Sequence, residues 1–533
     1  MRRRHFLTAT GLSTAGLAST ALLAGCSSDS GSNSDSGGGE SAAGASLVVD
    51  NAFDLKTADP ARSFELTGAM VNKQIYETAL TYTGSDVSEP VPQICSFTIS
   101  DDNRVVTLTI EGDHKFADAT AVTADDIVFS YQRVQGIKGN PSFLLDGVVV
   151  AKVNETTVTL TSDVANPALP YILPNPSLGI LNSKLVQSKG GTTDESDGAE
   201  SFLNATSAGS APYQIDTLQV TSSVVLKANP EYVGTAPTST RIVLENVAPA
   251  TQKINVQSGT AQIATDLSAD EVQGLDGGAT AVISQASSYM IFAWFNVDPQ
   301  FGGPVADPLF VQAVRHAIDY SALLKLTGDG SVQPGGVVPS QFVGHLESDP
   351  SNVFDANTAK ELLAKSSYQG EEIQFLFSND VAVSGVQLQI LAQAIQSQLK
   401  TAGITITLAP KPSATSLDSF RSGKFQAGLA YWGPDFPDPS NYLAFTPGEN
   451  VGKRAGWTPE SATAAAVMPL VDAAKAASGA DARDAAYQAL QKQMNVSGPF
   501  VPLVQPAQNV VTSSDLKGAD LNPIWTLDLA RIS

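Results

Sequence analysis

The chain reads as an α/β protein. Three local signals predict this: a strand-like alternation near residue 106, capped amphipathic helices, and a helix that hands over to a strand within two residues. Val106, Leu108 and Ile110 alternate with Thr107 and Thr109, the period of a half-buried strand. Thr123 to Asp126 forms a capping-box pattern opening a helix through Ile127 to Arg133. Asp307-Pro308 places an N-cap before a proline at the first helical position, and Phe310, Val314, Ala317 and Ile318 then share a face. From Gln387 to Ala402, Leu388, Leu391, Ile395 and Leu399 align as an apolar stripe. Gly403 stops that helix, and Ile404, Ile406 and Leu408 alternate as a strand. Interleaved strands and helices of this kind build α/β domains. There is no internal repeat.

The N-terminal region has a different character. Arg2-Arg3-Arg4 precedes an apolar stretch from about Leu12 to Ala24, then Gly25 and Cys26. A basic start and a short apolar run form a secretion signal, too short for a permanent membrane span. Leu23-Ala24-Gly25-Cys26 resembles a lipobox, which implies a signal over 1–25 and a lipidated Cys26 as the mature N-terminus. Two acyl chains hold a protein on a membrane stably, where one does so marginally. Arg3-Arg4-His5-Phe6-Leu7 resembles a twin-arginine signal, so that route and the general secretory route both stay open. The tract after Cys26, as far as residue 46, is Ser/Gly/Asp-rich with nothing to bury. It is expected to be a leash of roughly 25 Å reach.

The span from Leu47 onward is too long for one ordinary core, so two or three domains are expected. The 533-residue chain carries 31 Lys and Arg against 53 Asp and Glu, a net charge of −22. That balance excludes a nucleic-acid partner, because phosphates demand cations. Cys95, with Cys26 lipidated, is left without a partner and is expected to be a buried small hydrophobe. No Gly-x-Ser-x-Gly elbow, His-Glu-x-x-His pair or phosphate loop occurs. His114, His316 and His345 lack metal-ligand spacing. Neither enzyme activity, metal nor cofactor is expected.

Several segments, in order, resemble the extracellular solute-binding proteins of family 5, the binding components of bacterial ABC importers for peptides and nickel. They are Asp59-Pro60 with Ile75 to Leu80, the stretch 101–131, Ala208 to Tyr213 with Asn229 to Tyr232, Pro308 to Tyr320, Ala359 to Leu363, Gly428 to Phe445, and Pro499 to Leu503. In the second segment Phe116 to Ala119 stands where the family has a Phe-His-Asp-Gly turn, without its His and Gly. The resemblance implies two lobes with a hinge and an extra subdomain in the first lobe. Lobe I is expected over 47–76, 206–288 and 501–533, the subdomain over 77–205, and lobe II over 289–500. It implies a monomer that encloses a peptide or other small solute and docks on the transmembrane subunits of a permease.

The resemblance also nominates a site. Trp432-Gly433-Pro434-Asp435 matches the stretch whose Asp meets a peptide's α-ammonium. Burying an ammonium costs heavily unless a carboxylate meets it, so Asp435 is the expected anchor, with an ordinary turn aspartate as the rival role. Tyr431, Trp432 and Phe436 are expected as apolar walls, with core packing as their rival. Phe64 and Glu65 fall near a ligand-contacting loop. Tyr289, Phe292 and Trp294, at the expected lobe crossover, are candidates for the cleft floor. Oligosaccharides and metal chelates are the alternative ligands by the same fold, and a non-transport solute sensor is the alternative role.

Overall fold

The computed structural model describes residues 46–533; Cys26, the signal and the leash lie outside the described residues. Two large sheets organise two lobes. The first has seven strands in the order Thr280–Ala286, Ala507–Ser513, Ile263–Ala264, Ser46–Asn51, Arg241–Asn246, Ser223–Ala228 and Tyr213–Gln219. Ser46–Asn51 runs parallel to both its neighbours, and the remaining pairs are antiparallel.

The second sheet orders Ile406–Lys411, Ile373–Ser378, Ala427–Trp432, Met290–Phe295 and Phe500–Val504. Its first three strands are parallel, and Met290–Phe295 is antiparallel to both neighbours. All six residues of Met290–Phe295 are buried. Ile291, Ala293 and Phe295 join the core under helices Pro308–Ala317 and Leu388–Thr401, while Met290, Phe292 and Trp294 join the core on the opposite face. A strand covered on both faces reads as a continuous apolar run, which is the pattern of this segment.

The extra subdomain is built on four antiparallel strands, ordered Cys95–Ile99, Val105–Ile110, Thr157–Ser162 and Val148–Lys152. Helix Ala124–Gly136 packs on them, and its start is fixed as the capping pattern requires: Asp126 Oδ2 accepts from the Thr123 N–H at 2.9 Å and hydroxyl at 2.7 Å. Asp307 likewise caps its helix, accepting from the Leu309 N–H at 2.9 Å. Cys95 lies in the subdomain core, where burial pushes its thiol up to about 12.

Two of the expected boundaries move. Phe500–Val504 pairs with Met290–Phe295 in the second sheet, so the chain re-enters the first only at Ala507, not at 501. Leu181, Val186, Ala199 and Leu203 pack in the first-lobe core, so the subdomain's own core ends near Ile180, not at 205. The chain therefore crosses between the sheets at 287–289 and at 505–506. Gln505, fully buried, ties the crossings together. Its Nε2 donates to the Ser287 carbonyl at 3.0 Å and its Oε1 accepts from the Ser340 N–H at 3.0 Å. The Ser287 N–H donates to the Pro506 carbonyl at 2.8 Å.

A buried ionic cluster joins the subdomain to the first lobe. Arg133 donates to both carboxylate oxygens of Asp59, each at 2.7 Å, and to both of Asp197, each at 2.8 Å. Arg62 adds bonds to Asp59 at 2.6 Å and to Asp197 at 2.9 Å. Burial opposes ionisation of Asp197, but the two guanidiniums prevail and hold its carboxyl down at about 2.

Candidate functional site

Strand Ala427–Trp432 ends where Gly433 and Pro434 begin a turn, and Pro437 and Pro439 follow. Proline cannot donate to a ladder, so the chain leaves the sheet here and projects toward the first lobe. Gly433 is required by its surroundings: a Cβ at this position would lie 2.4 Å from the Tyr289 ring. Gly433→Val is expected to push that ring aside and to weaken ligand binding about tenfold. Calorimetric titration checks this, and an unchanged affinity would show that the two residues do not shape the ligand's seat.

The turn presents Asp435 within a small amide network. Its Oδ2 accepts from Asn441 Nδ2 at 3.1 Å, and Asn441 Oδ1 accepts from the Asp435 N–H at 3.3 Å and from Trp432 Nε1 at 3.4 Å. Asn175, from the subdomain, donates to the Asp435 carbonyl at 3.3 Å. Beneath the turn Arg483 Nη2 reaches both oxygens of Asp438 at 2.6 Å, and Asp438 Oδ1 accepts from the Ser440 N–H at 2.9 Å. Burial raises the Asp435 carboxyl above its ordinary value, with Asn441 partly opposing. No cation forms an ion pair with Asp435 among the described residues, although twelve Lys or Arg contacts to carboxylates occur elsewhere among them.

Asp435 faces a cavity of about 350 Å³ that both lobes line: Asp54, Phe64 and Glu65 on one side, Tyr289, Gly433 and Pro434 on the other. A second cavity of about 400 Å³ continues past Tyr289 and Tyr431 toward Asp266, Gln508 and Asn509. Tyr431 is 41% exposed, and its ring lies 6.3 Å from that of Tyr289, whose hydroxyl burial pushes up to about 12. Glu65 holds Lys56 at 3.2 Å, and Phe64 packs edge-on to Phe143 at 5.4 Å.

The structure thus brings Asp435, Gly433, Tyr289, Tyr431, Phe64 and Glu65 to the interlobe cavities. Trp432 lines a separate recess beside them and packs edge-on to Phe445. Three expectations are corrected. Phe436 turns away and packs against the subdomain core. Phe292 is fully buried between Phe445 and Phe500, at 5.2 and 5.7 Å, and reaches no cleft. Trp294 is buried against Phe420 and walls the recess inside lobe II, not the cleft floor. The cause is the period of two: Phe292 and Trp294 share a face that the lobe's own core covers.

Sequence reasoning missed Asp54, Asn175, Ser288 and Asn441. Asp54 carries no local signal, since the helix start that it satisfies, accepting from the Thr67 N–H at 2.9 Å, lies thirteen residues on. Asn175 carries none, being 260 residues from its partner. The three histidines among the described residues are engaged elsewhere. His114 meets Glu77 at 3.1 Å, and His316 and His345 hydrogen-bond the carbonyls of Val353 and Phe342 at 2.8 and 2.9 Å. Among the described residues no cluster of three or more His, Cys, Asp or Glu is placed to hold a metal.

Comparison with known proteins places this fold. A family model described as bacterial extracellular solute-binding proteins, family 5 (middle), matches residues 89–453. The probable D,D-dipeptide-binding periplasmic protein DdpA of Escherichia coli K12 is 25% identical over 492 residues, covering 90% of this chain and 92% of that one. The dipeptide-binding protein DppE of Bacillus subtilis 168 is 23% identical over 522 residues, with 91% of each chain covered. Among solved structures, HbpA2 of Haemophilus parasuis superposes with a TM-score of 0.80 at 20% identity, covering 92% of this chain and 99% of the other. That last likeness is one of fold.

Proposed function

Because this chain belongs to the bacterial extracellular solute-binding proteins of family 5, we propose that it captures a peptide between its two lobes and delivers it to an ABC permease. One observation carries the reading: Asp435 is a partly desolvated carboxylate on the interlobe cavity with no cation paired to it among the described residues. A peptide's α-ammonium supplies that cation, and a charge-assisted hydrogen bond is about twice as strong as a neutral one. The names of the two relatives, both dipeptide-binding, support the same ligand class.

Binding energy is coupled to closure through the two crossings. A ligand touched by both lobes favours the closed form only by its differential affinity for it, and the ties from Gln505 confine the motion to those short segments. No covalent step is required. No helix among the described residues is long and apolar enough to cross a membrane, and the reading gives that duty to lipid on Cys26. Cys26→Ser is expected to move the protein from the membrane to the soluble fraction. Equal membrane retention of both forms would remove the lipid anchor from the account.

The ligand class is tested on the full chain in detergent, stripped by unfolding and refolding, then mixed with a peptide digest. Native mass spectrometry is expected to show peptide complexes, and none with an N-acetylated digest. Binding of both digests would discard the ammonium anchor. Binding of neither, with the fold intact, would overturn the peptide reading in favour of oligosaccharides or metal chelates.

A further inference from the structure

Adjoining the anchor is a third cavity, of about 580 Å³, that the peptide reading leaves unused. Asp435 and Gly433 line it, and so do Arg421 and Arg454. Every residue around it belongs to lobe II. It is therefore a recess off the interlobe cleft, not part of the groove that both lobes would close on a ligand's main chain.

The positive charge on its wall is unusual for this molecule. The chain has 53 acidic residues to 31 Lys and Arg, so an arginine has many carboxylates to choose from. Yet neither Arg421 nor Arg454 forms an ion pair among the described residues. Arg454 is half-buried, donates to Asn450 Oδ1 at 3.0 Å, and lies with its guanidinium 5.5 Å from the Phe420 ring centre. Phe420 in turn stacks on Trp294 at 4.7 Å. This cation–π contact restrains the Arg454 side chain, and Arg is the side chain that meets a carboxylate bidentately. Burial, and then the neighbouring charge of Arg421, lower the Arg454 pKa. Arg421 is exposed to solvent, whereas Arg454 is half-buried and has no internal counterion among the described residues, which leaves its guanidinium open to an external anion.

We infer that this recess takes a carboxylate side chain of the bound peptide, held by Arg421 and Arg454 while Asp435 holds the α-ammonium. The inference rests on the peptide reading above. Trp294 pairs with Gly428 and Met290 with Trp432, so the aromatic stack and the anchor turn are separated by about 13 Å of strand. The ammonium and carboxylate of one amino acid's own backbone are far too close together to span such a distance. An acidic side chain near the N-terminus, reached by the long arginine side chains, spans it. Ser378 and Ser416 also line the recess and offer hydroxyls, whereas the Ser413 hydroxyl already donates to Asp380 Oδ2 at 3.4 Å.

The test is calorimetric titration of the full chain in detergent with the tripeptides Glu-Ala-Ala, Gln-Ala-Ala and Ala-Ala-Ala. The parent is expected to prefer the Glu peptide over the Gln peptide by about tenfold or more, the weight of hydrogen bonds to a charged group. The double variant Arg421→Gln/Arg454→Gln is expected to lose that preference while still binding Ala-Ala-Ala, which shows that it is folded. Glu-Ala-Ala carrying a C-terminal amide separates the sources of the carboxylate: a side-chain carboxylate keeps the preference after amidation. Equal binding of Glu and Gln peptides by the parent, or a preference that survives in the double variant, overturns the assignment of the recess. Failure of all three peptides to bind overturns the peptide reading itself.

Discussion

Asp435→Asn is expected to weaken binding of a free-amine peptide by about 30-fold to several-thousand-fold, the range for removing one partner of a buried charge pair. The same substitution is expected to stabilise the empty protein. Burial raises the Asp435 carboxyl above its ordinary value of 3.8, so the folded state binds that proton more tightly than the unfolded state does. The contribution to stability is favourable below pH 3.8 and is lost as the pH rises through the raised value. At neutral pH the ionised carboxylate is a cost, and asparagine removes it while keeping an oxygen for Asn441. Denaturant midpoints of the stripped proteins should place the variant above the parent at pH 7, with the gap closing as the pH falls. In the parent, peptide affinity should decline on acidification through the raised value. A variant that loses both binding and stability would show Asp435 to be a structural turn residue.

Arg133→Met carries the second large effect. Arg133 is fully buried and supplies bonds to both oxygens of Asp59 and of Asp197. Removing it leaves two buried carboxylates with Arg62 alone. Breaking a buried pair on one side costs about 3–5 kcal/mol, because the remaining charge is uncompensated. Lysine cannot replace the planar fork, so Arg133→Lys should lose most of the same amount. Hydrogen exchange is the informative probe. Protection should fall in helix Ala124–Gly136 and around Asp197 while the second lobe, which the cluster does not touch, stays unchanged. A loss below about 1 kcal/mol would mean that the cluster only balances its own desolvation.

Much of the scaffold was legible because its signals are local. The Thr123–Asp126 and Asp307–Leu309 caps depend on residues three or two apart, and the stripe of Leu388, Leu391, Ile395 and Leu399 is a property of one helix. The turn at Gly433 to Pro439 is likewise written in its prolines. The lobe boundaries were harder, since they depend on pairing. Nothing in Phe500–Val504 says that it joins Met290–Phe295 before the chain returns to the first sheet at Ala507.

The site divides along the same line. That Asp435 sits in a rigid turn after an aromatic strand end follows from residues 431–439 alone. Its facing a cavity, with Asn175 and Tyr289 as neighbours, depends on contacts 260 and 146 residues away in the chain. The run Met290–Phe295 shows the limit most clearly. Every residue in it is apolar and both faces of the strand are buried, so hydrophobic alternation cannot say which face meets the ligand. Only the packing of Phe445 and Phe500 against Phe292, and of Phe420 against Trp294, assigns those side chains to the lobe interior. Periodicity and caps are short-range and survive in one dimension; which covered face borders a cleft is set by long-range packing, and that exists only once the chain has folded.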